Sequence, residues 1–296
     1  MRFLIIGRGS MSKRRQRNLQ ALRYHDYVTW DIGDKETAEE IVKSYKPDAI
    51  IVSSPPLTKQ KYIDEAGQRG IPCFCEADIV SYNGFYYPSC SLIFHHGVQK
   101  IKELLQTSAI GNIYTFQYRL GQHLREWRPK GFDFTNYYAA KHGGNEMVIF
   151  ELAWLSYLFG KPQNCCGIID KKMNDPQISS NDVFAMAVQF STCIGSILVD
   201  ILSRPAARGL TVIGSKANLL WNWDNDSIEL EYPNGEYTLV FYPKGKAADG
   251  YNENICEEMY QIELKSWIDS LNGGTYPYSK AEEKAVIECL RKVENV

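Results

Sequence analysis

The sequence lacks several features that would assign it to a special class of protein. Its 296 residues carry a formal net charge of −2 with both signs interspersed, so no charge excess indicates a nucleic acid or a membrane surface as partner. The local basic run Lys13-Arg14-Arg15-x-Arg17 is expected to form a solvated helix face rather than to add positive potential for a phosphate. No apolar run reaches the length of a membrane span, and no signal-peptide layout precedes the first predicted strand. We therefore expect a cytoplasmic protein with a small-molecule substrate and no nucleic-acid or membrane partner.

The eight cysteines lack the spacing of a metal site. Cys73 and Cys75 alternate along a predicted strand and point to opposite faces, whereas Cys165 and Cys166 are adjacent, which suits few chelates. The other four have no histidine at ligand spacing. We expect no metal, and buried reduced thiols in a reducing compartment.

The stretch from Phe3 to Ser12 predicts a dinucleotide site. Its first four residues have the apolar, β-branched composition of a short buried strand, and Gly7-x-Gly9-x-x-Ser12 leads from them into a helix-compatible segment. Gly7 would make the sharp turn, and Gly9 would let bare backbone approach a pyrophosphate at the positive end of the helix. Ser12 replaces the usual third glycine. The competing interpretation is an ordinary glycine turn at a strand end.

Asp31 strengthens the nucleotide interpretation. It ends a second predicted strand at about the expected spacing of 20 residues. A carboxylate there accepts hydrogen bonds from the adenine ribose and repels a 2′-phosphate, and Ile32-Gly33-Asp34 offers no arginine to reverse this choice. The expected cofactor is therefore NAD(H).

The order of predicted elements indicates an α/β chain with two domains. Strands alternate with helices over residues 1–112, which predicts a Rossmann-type parallel sheet whose strand ends converge on one crevice. Residues 113–296 predict an α+β substrate-binding domain with a large, mostly antiparallel open sheet, including a hairpin around Pro233-Asn234-Gly235-Glu236. Two helices close the chain, the second introduced by the capping box Ser279-Lys280-Ala281-Glu282 and able to pack back on the first domain. A second copy would economically cover the open sheet face, so we expect a homodimer or higher homo-oligomer.

Four motifs carry a resemblance to the Gfo/Idh/MocA oxidoreductase family that covers the whole chain. They are Ile6-Gly7-Arg8-Gly9-Ser10-Met11-Ser12-Lys13-Arg14, Val52-Ser53-Ser54-Pro55-Pro56, Gly70-Ile71-Pro72-Cys73-Phe74-Cys75-Glu76, and Gly121-Gln122-His123-Leu124-Arg125-Glu126-Trp127-Arg128-Pro129 with Tyr138-Ala139-Ala140 after it. Family enzymes move a hydride between a nicotinamide and a sugar or cyclitol carbon. The last motif is similar to members of surface-sugar and nucleotide-sugar pathways, which implies a sugar or nucleotide-sugar substrate and a place in glycan biosynthesis.

The resemblance also implies roles for cofactor-binding residues. The pyrophosphate would be held by Gly7, Gly9, Ser10 and Met11, the ribose by Asp31, and the far side of the cofactor by Ser53, Ser54 and Pro55. Glu76 would match the glutamate of the family's Glu-Lys-Pro motif, near the nicotinamide half.

The sequence departs from the family pattern at the residues that carry the chemistry. Glu-Lys-Pro becomes Glu76-Ala77-Asp78, which removes the lysine that contacts the reacting hydroxyl. Aligning on Leu158-Phe159-Gly160 puts Phe150 in place of the usual general-base histidine and Ala153 in place of its aspartate, and aligning on Gly143 recovers no histidine either. Alcohol oxidation still needs a base for the hydroxyl proton.

Three nearby residues are candidate catalytic substitutes. Glu146 lies four residues before Phe150 and shares its helix face, although a carboxylate that stabilises the helix dipole is an equally good interpretation. Lys141 could polarise a substrate oxygen or be a solvated surface lysine. His123 lies in the fourth motif.

The candidate substrate-binding residues are Trp127, Arg128, Tyr138, His142 and Asn145. An exposed aromatic and an arginine in a polar loop are typical of sugar stacking and of a phosphate or carboxylate clamp, whereas core packing is the alternative for Trp127 and Tyr138. His142 could simply occupy a loop. The sequence thus predicts an NAD-dependent sugar oxidoreductase. The alternatives are a redox-neutral rearrangement on the same scaffold and a catalytically silent NAD- or sugar-binding protein.

Overall fold

The computed structural model of the chain describes residues 1–126, 143–175, 178–248 and 256–294. The chain packs into two compact units, one of Met1–Ser91 with Met259–Lys284 and the other of Leu92–Glu258 with Ala285–Val296. The domain boundary after residue 112 stays a prediction. Among the described residues, no helix is long and apolar enough to cross a lipid bilayer.

The first unit contains the predicted parallel sheet. Its strands are β1 (Phe3–Ile6), β2 (Tyr27–Trp30), β3 (Ala49–Val52), β4 (Cys73–Cys75) and β5 (Tyr87–Pro88), and its connecting helices are α1 (Ser10–Ala21), α2 (Ala38–Tyr45) and α3 (Pro56–Gln68). The strand order is β2-β1-β3-β4-β5 with every pair parallel. Ile6 lies opposite both Trp30 and Val52, so the carboxyl ends of the three strands reach the same edge. The fold class expected from the sequence is confirmed, whereas β5 is too short to have been recognised from its pattern.

Both faces of this sheet are buried. Leu4, Ile50 and Cys73 belong to one apolar cluster, and Phe3 and Phe74 to the other. Helix α6 (Glu257–Leu271) contributes Leu264, Trp267 and Ile268 to the second cluster. Burial on two sides explains why the strands read as continuous apolar runs without alternation.

The second unit contains an eight-stranded sheet of order β13-β12-β11-β10-β6-β9-β8-β7. Its strands are β6 (Ile113–Gly121), β7 (Pro162–Asp170), β8 (Val183–Phe190), β9 (Ile194–Asp200), β10 (Ala207–Gly214), β11 (Asn218–Asn222), β12 (Ser227–Glu231) and β13 (Tyr237–Phe241). All pairs are antiparallel except β6 with β9. The predicted hairpin between β12 and β13 is confirmed, and Gly235 in its turn has φ +83°.

Helices cover one face of the second sheet. Helix α4 (His96–Gln106) packs on β12, and α5 (Gly143–Phe159) packs on β8 and β9. On the other face, the described part of the chain exposes five large apolar side chains, which are between 45% and 73% exposed, namely Ile168, Ile194, Tyr237, Leu239 and Phe241. The strand registers place all of them on the same side of the sheet.

Two local expectations have clear outcomes. The capping box before helix α7 (Lys280–Glu294) is confirmed, since the Ser279 N–H donates to Glu282 Oε2 at 2.7 Å and the Glu282 N–H donates to Ser279 Oγ at 3.3 Å. All eight cysteines are free thiols and seven are buried, but Cys166 is exposed. Cys166 lies opposite Ala187 on the uncovered face of the second sheet, and this position explains the difference.

Candidate functional site

The turn after β1 contains the two glycines from which the sequence predicts a dinucleotide loop. Gly7 has φ +106°, and its N–H donates to the carbonyl of Trp30 at 2.8 Å. A Cβ at Gly7 would lie 2.7 Å from the carbonyl oxygen of Ser53, so only glycine fits between the two strands. A Cβ at Gly9 would meet no atom within 4 Å. Gly9 is the N-cap of α1, and no side chain caps this helix end. Because the space beside Gly9 is open, its backbone is exposed at the positive end of α1.

Asp31 lies at the carboxyl end of β2, where the sequence predicts it. Its Oδ1 accepts from the N–H of Ile32 at 2.8 Å, and its own N–H donates to Asp34 Oδ2 at 2.9 Å. An arginine also reaches this end of the sheet. The guanidinium of Arg8 forms two hydrogen bonds of 2.6 Å with the carboxylate of Asp34. Residues 32–34 contain no arginine, and Arg8 reaches this position from the glycine turn, which is remote in sequence.

The segment after β3 brings the next predicted residues to the same sheet edge. The N–H of Ser53 donates to the carbonyl of Ile6 at 2.8 Å. Ser53 Oγ is buried and has no hydrogen-bond partner among the described residues. Ser54 Oγ accepts from the hydroxyl of Thr58 at 3.0 Å, and Pro55 is the N-cap of α3. The unsatisfied hydroxyl of Ser53 is a polar group available to a ligand at this edge.

Glu76 is tied to a buried arginine. Arg15 Nε donates to Glu76 Oε1 at 2.6 Å, and Arg15 Nη2 donates to Glu76 Oε2 at 3.0 Å and to Glu263 Oε2 at 2.7 Å. Burial and the nearby Glu76 charge act to raise the pKa of Glu263, whereas Arg15 lowers it. The cofactor role of Glu76 stays a prediction.

The expectation of a solvated basic helix face is wrong for two of its residues. Arg15 is fully buried, and Arg14 is 5% exposed with its guanidinium carbon 4.1 Å from the ring centroid of Tyr260. Helix α6 supplies the partners that permit this burial, namely the carboxylate of Glu263 and the ring of Tyr260. Only Lys13 of the inspected run is plainly exposed.

A lysine from α3 reaches the segment that follows β4. Lys59 Nζ donates to the carbonyls of Glu76 at 2.8 Å and Ala77 at 3.2 Å, and lies 3.1 Å from Asp78 Oδ2. Lys59 is 3% exposed and Asp78 is completely buried. The sequence shows Ala77 where the resemblance implies a lysine, and the structure places a different ammonium against the backbone of that position. No sequence signal marked Lys59, because it sits on a helix that reads as ordinary.

In the second unit, His123 is a hydrogen-bond acceptor at Nδ1. Arg204 Nη2 lies 3.0 Å from this nitrogen and the N–H of Arg125 donates to it at 3.3 Å. A guanidinium can only donate, so the proton of the neutral imidazole lies on Nε2. Burial, reinforced by Arg204, lowers the pKa of His123 and favours this neutral form. The ring can thus offer a donor at Nε2, whereas its one basic lone pair is already engaged.

Helix α5 carries the other described candidates of this unit. Glu146 lies in its first turn and is 8% exposed, and Phe150 follows one turn later on the same face. Asn145 is 2% exposed and donates from Nδ2 to Glu294 Oε1 of α7, which directs this amide group away from solvent. Phe150 and Ala153 both lie on this helix, and none of its residues is a histidine. That they occupy the positions of the family's histidine and aspartate stays a prediction.

A buried network of this unit was missed by the sequence analysis. Glu151 is completely buried and accepts from the hydroxyl of Tyr118, from Trp154 Nε1 at 2.6 Å and from Arg208 Nη2 at 2.7 Å. The guanidinium carbon of Arg208 lies 4.6 Å from the ring centroid of Trp223. These contacts anchor α5 to the sheet, and they occupy the carboxylate of the residue that follows Phe150 in sequence.

Five predicted site residues lie outside the described residues. They are Trp127, Arg128, Tyr138, Lys141 and His142. Their roles stay predictions.

Comparisons with known proteins support the family resemblance. Residues 98–220 match the family model described as the GFO/IDH/MocA C-terminal domain. A comparison with curated protein sequences finds no match.

Solved structures share the fold over the whole chain. An oxidoreductase from Agrobacterium radiobacter in complex with NAD+, L-tartaric acid and magnesium is 13% identical, with a TM-score of 0.83 over 100% of this chain and 95% of that chain. Levoglucosan dehydrogenase in complex with NADH is 13% identical, with a TM-score of 0.77 over 99% and 96%. An oxidoreductase from Sinorhizobium meliloti is 11% identical, with a TM-score of 0.74 over 100% and 97%. At these identities the likeness establishes the fold.

Proposed function

We propose that this chain, whose residues 98–220 match the model of the GFO/IDH/MocA C-terminal domain, is an NAD-dependent oxidoreductase acting on a sugar or nucleotide-sugar derivative. The observation that carries this proposal is the glycine turn after β1, where Gly7 admits no side chain and the Cβ position of Gly9 is open. The similarity to a dehydrogenase of levoglucosan supports a sugar as substrate class. A role in glycan biosynthesis is the more specific part of the proposal and rests on the resemblance of the His123 segment.

The residues of the first unit fit a nicotinamide dinucleotide. The N-cap Gly9 leaves backbone N–H groups at the start of α1 for the pyrophosphate, and Asp31 provides carboxylate oxygens for the ribose hydroxyls. Ser53 Oγ is a buried hydroxyl that lacks a partner among the described residues, as expected of a group that a ligand satisfies. Bound at these residues, the dinucleotide supplies the nicotinamide carbon that accepts or gives the hydride.

Glu146 is our candidate for the general base, and His123 for a hydrogen-bond donor to the substrate. His123 cannot take a proton at Nδ1 while Arg204 donates there, but its Nε2–H can bind and orient a substrate oxygen. Glu146 is a largely buried carboxylate on the helix face that the missing histidine would have occupied. Lys141 remains a proposed third member that would polarise the same oxygen.

A second candidate function is a catalytically silent protein that binds NAD(H) or a sugar. The specific observation in its favour is the aromatic ring of Phe150 on α5, since neither Phe150 nor Ala153 can move a proton. The two candidates share the nucleotide site and differ only in turnover.

The separating experiment measures binding first and turnover second. Purified protein is titrated with NADH by fluorescence and then assayed with NAD+ and a panel of sugars, cyclitols and nucleotide sugars, with mass spectrometry of any co-purifying ligand to choose the panel. We expect saturable binding and turnover of at least one compound. Glu146→Gln should lower kcat by about 100-fold or more while the NADH affinity stays unchanged. The exposed carboxylate of Glu288 gives the matched control Glu288→Gln.

The outcomes distinguish the candidates. Binding of NADH without turnover of any compound, with no loss of this function in Glu146→Gln and Lys141→Ala, favours the silent protein. Absence of NAD(H) binding overturns both candidates and leaves the glycine turn a structural feature.

We also propose that the uncovered face of the second sheet binds a second copy of the chain. Five large apolar side chains lie on this face, and burying them would remove a large apolar area from water. Leu239 lies between Tyr237 and Phe241 on this face, so a charge there should prevent association of two copies. Leu239→Glu should therefore lower the molar mass measured by analytical ultracentrifugation. A wild-type monomer at all concentrations would contradict the proposal.

The eight free thiols are consistent with a reducing, cytoplasmic location.

A further inference from the structure

Arg8 and Asp34 form an ion pair at the adenosine end of the proposed nucleotide site. Arg8 Nη1 lies 2.6 Å from Asp34 Oδ1, and Arg8 Nη2 lies 2.6 Å from Asp34 Oδ2. Arg8 Nη2 also approaches the carbonyl of Thr29 at 3.4 Å. This two-point geometry fixes both position and orientation of the guanidinium.

The pair is fastened to Asp31 by the backbone. Asp34 Oδ2 accepts from the N–H of Asp31 at 2.9 Å, and the N–H of Asp34 donates to the carbonyl of Asp31 at 2.9 Å. The hydrogen bond from Asp31 and then the one from Arg8 lower the pKa of Asp34, so this carboxyl is ionised at neutral pH. The side chain of Arg8 is 51% exposed and that of Asp34 24% exposed. Both groups are therefore accessible from solvent while they are paired.

The charges at this corner decide which adenosine can bind. Asp31 and Asp34 outweigh the single positive charge of Arg8, which disfavours a 2′-phosphate next to Asp31. Arginine is nevertheless the side chain that best binds a phosphate, since its fork matches two phosphate oxygens. A guanidinium that can bind a 2′-phosphate is thus already present, and the carboxylate of Asp34 binds it instead.

We propose that Asp34 is a specificity-determining residue that selects NAD(H) over NADP(H) by holding Arg8 in this ion pair. The inference rests on the proposed function, because it concerns the same nucleotide site. Asp31 excludes the 2′-phosphate directly, whereas Asp34 withdraws the cation that would attract it. Removing Asp34 frees Arg8 to bind a phosphate next to Asp31.

The experiment compares NADH and NADPH affinities by fluorescence titration, without any substrate. Wild type should prefer NADH. Asp34→Ala should increase the NADPH affinity relative to the NADH affinity by about tenfold, the worth of one charge-assisted hydrogen bond. Asp34→Asn keeps an acceptor for the Asp31 N–H and should change the preference in the same direction, which separates loss of charge from loss of the turn.

Arg8→Ala/Asp34→Ala is the decisive control, because it removes the cation that the inference invokes. The NADPH gain should disappear in this double variant, and Arg8→Ala alone should show none. Thermal unfolding of each variant verifies that the fold is retained.

The failures of the two proposals are distinguishable. A wild-type protein that binds neither dinucleotide overturns the proposed function and this inference with it. Two results overturn the inference alone: Asp34 variants that bind NADH without gaining NADPH affinity, and a gain that persists in the double variant. A wild-type protein that prefers NADPH overturns the inference together with the NAD preference of the proposed function.

Discussion

Arg15 and Glu76 face each other in two parallel hydrogen bonds, 2.6 Å from Nε to Oε1 and 3.0 Å from Nη2 to Oε2. The guanidinium is completely buried, and the second carboxylate that it binds, Glu263, is completely buried as well. Burial disfavours the charge on Arg15, but the two carboxylates outweigh this effect and raise its pKa. One arginine in the middle of α1 therefore connects this helix to the segment after β4 and to helix α6 within the first unit.

Replacing Arg15 should strongly destabilise the first unit. Arg15→Met leaves the buried carboxylates of Glu76 and Glu263 without their cation, so we expect a loss of about 3–5 kcal/mol in the free energy of unfolding. Urea denaturation monitored by circular dichroism measures it. The exposed pair of Lys43 with Glu39 provides the control, because Lys43→Met should have little effect. Equal stabilities of the two variants would contradict this role for Arg15.

The ion pair of Lys59 and Asp78 should behave as a unit. Lys59→Met leaves a completely buried carboxylate uncompensated and should cost about 3–5 kcal/mol. In Lys59→Met/Asp78→Asn the remaining charge is also removed, so the double variant should be more stable than Lys59→Met alone. A double-mutant cycle from urea denaturation gives the coupling energy. Additive single effects would show that the two side chains act independently.

The two glycines of the turn should fail in different ways. Gly7→Ala places a methyl group 2.7 Å from the Ser53 carbonyl oxygen at φ +106°, so the melting temperature should fall. Gly9→Ala meets no atom within 4 Å, so the fold should keep its melting temperature while the NADH affinity falls. Calorimetry and NADH titration of the same samples provide both values. An unchanged NADH affinity in Gly9→Ala would mean that the pyrophosphate does not bind there.

Glu283 should make the stability depend on pH. Burial raises the pKa of Glu283 from 4.5 to about 7, although the hydroxyl of Tyr86 and Lys59 oppose the shift. The folded chain keeps this proton to higher pH than the unfolded chain, so the stabilising contribution is complete below pH 4.5 and is lost as the pH rises through 7. The difference amounts to about 3 kcal/mol.

Glu283→Gln should remove this contribution, because a neutral amide can still accept from Tyr86. Urea denaturation of both proteins at pH 5, 6, 7 and 8 provides the comparison, and the gap between wild type and variant should change with pH. Parallel profiles would show that Glu283 does not titrate in this range.

The sequence by itself determined the elements whose cause is local. β1 is recognisable because a strand buried on both faces must be apolar throughout, and the capping box at Ser279 because its partners are three residues apart. The glycine turn at Gly7 and the position of Asp31 are equally predictable from the sequence, since backbone conformation and strand spacing dictate them. The alternation of elements also fixed the fold class.

Only the tertiary structure decided which charged side chains are buried and which partners they bind. The sequence indicated a solvated Arg15, but a charge can be buried wherever distant segments supply partners, and Glu76 and Glu263 lie 61 and 248 positions away. The contacts of Lys59 with Ala77 and of Arg8 with Asp34 have the same explanation. A helix and a turn place these two cationic groups next to strand ends that are remote in sequence. Apolar periodicity records which face of an element is buried, but it holds no information about which charges meet there.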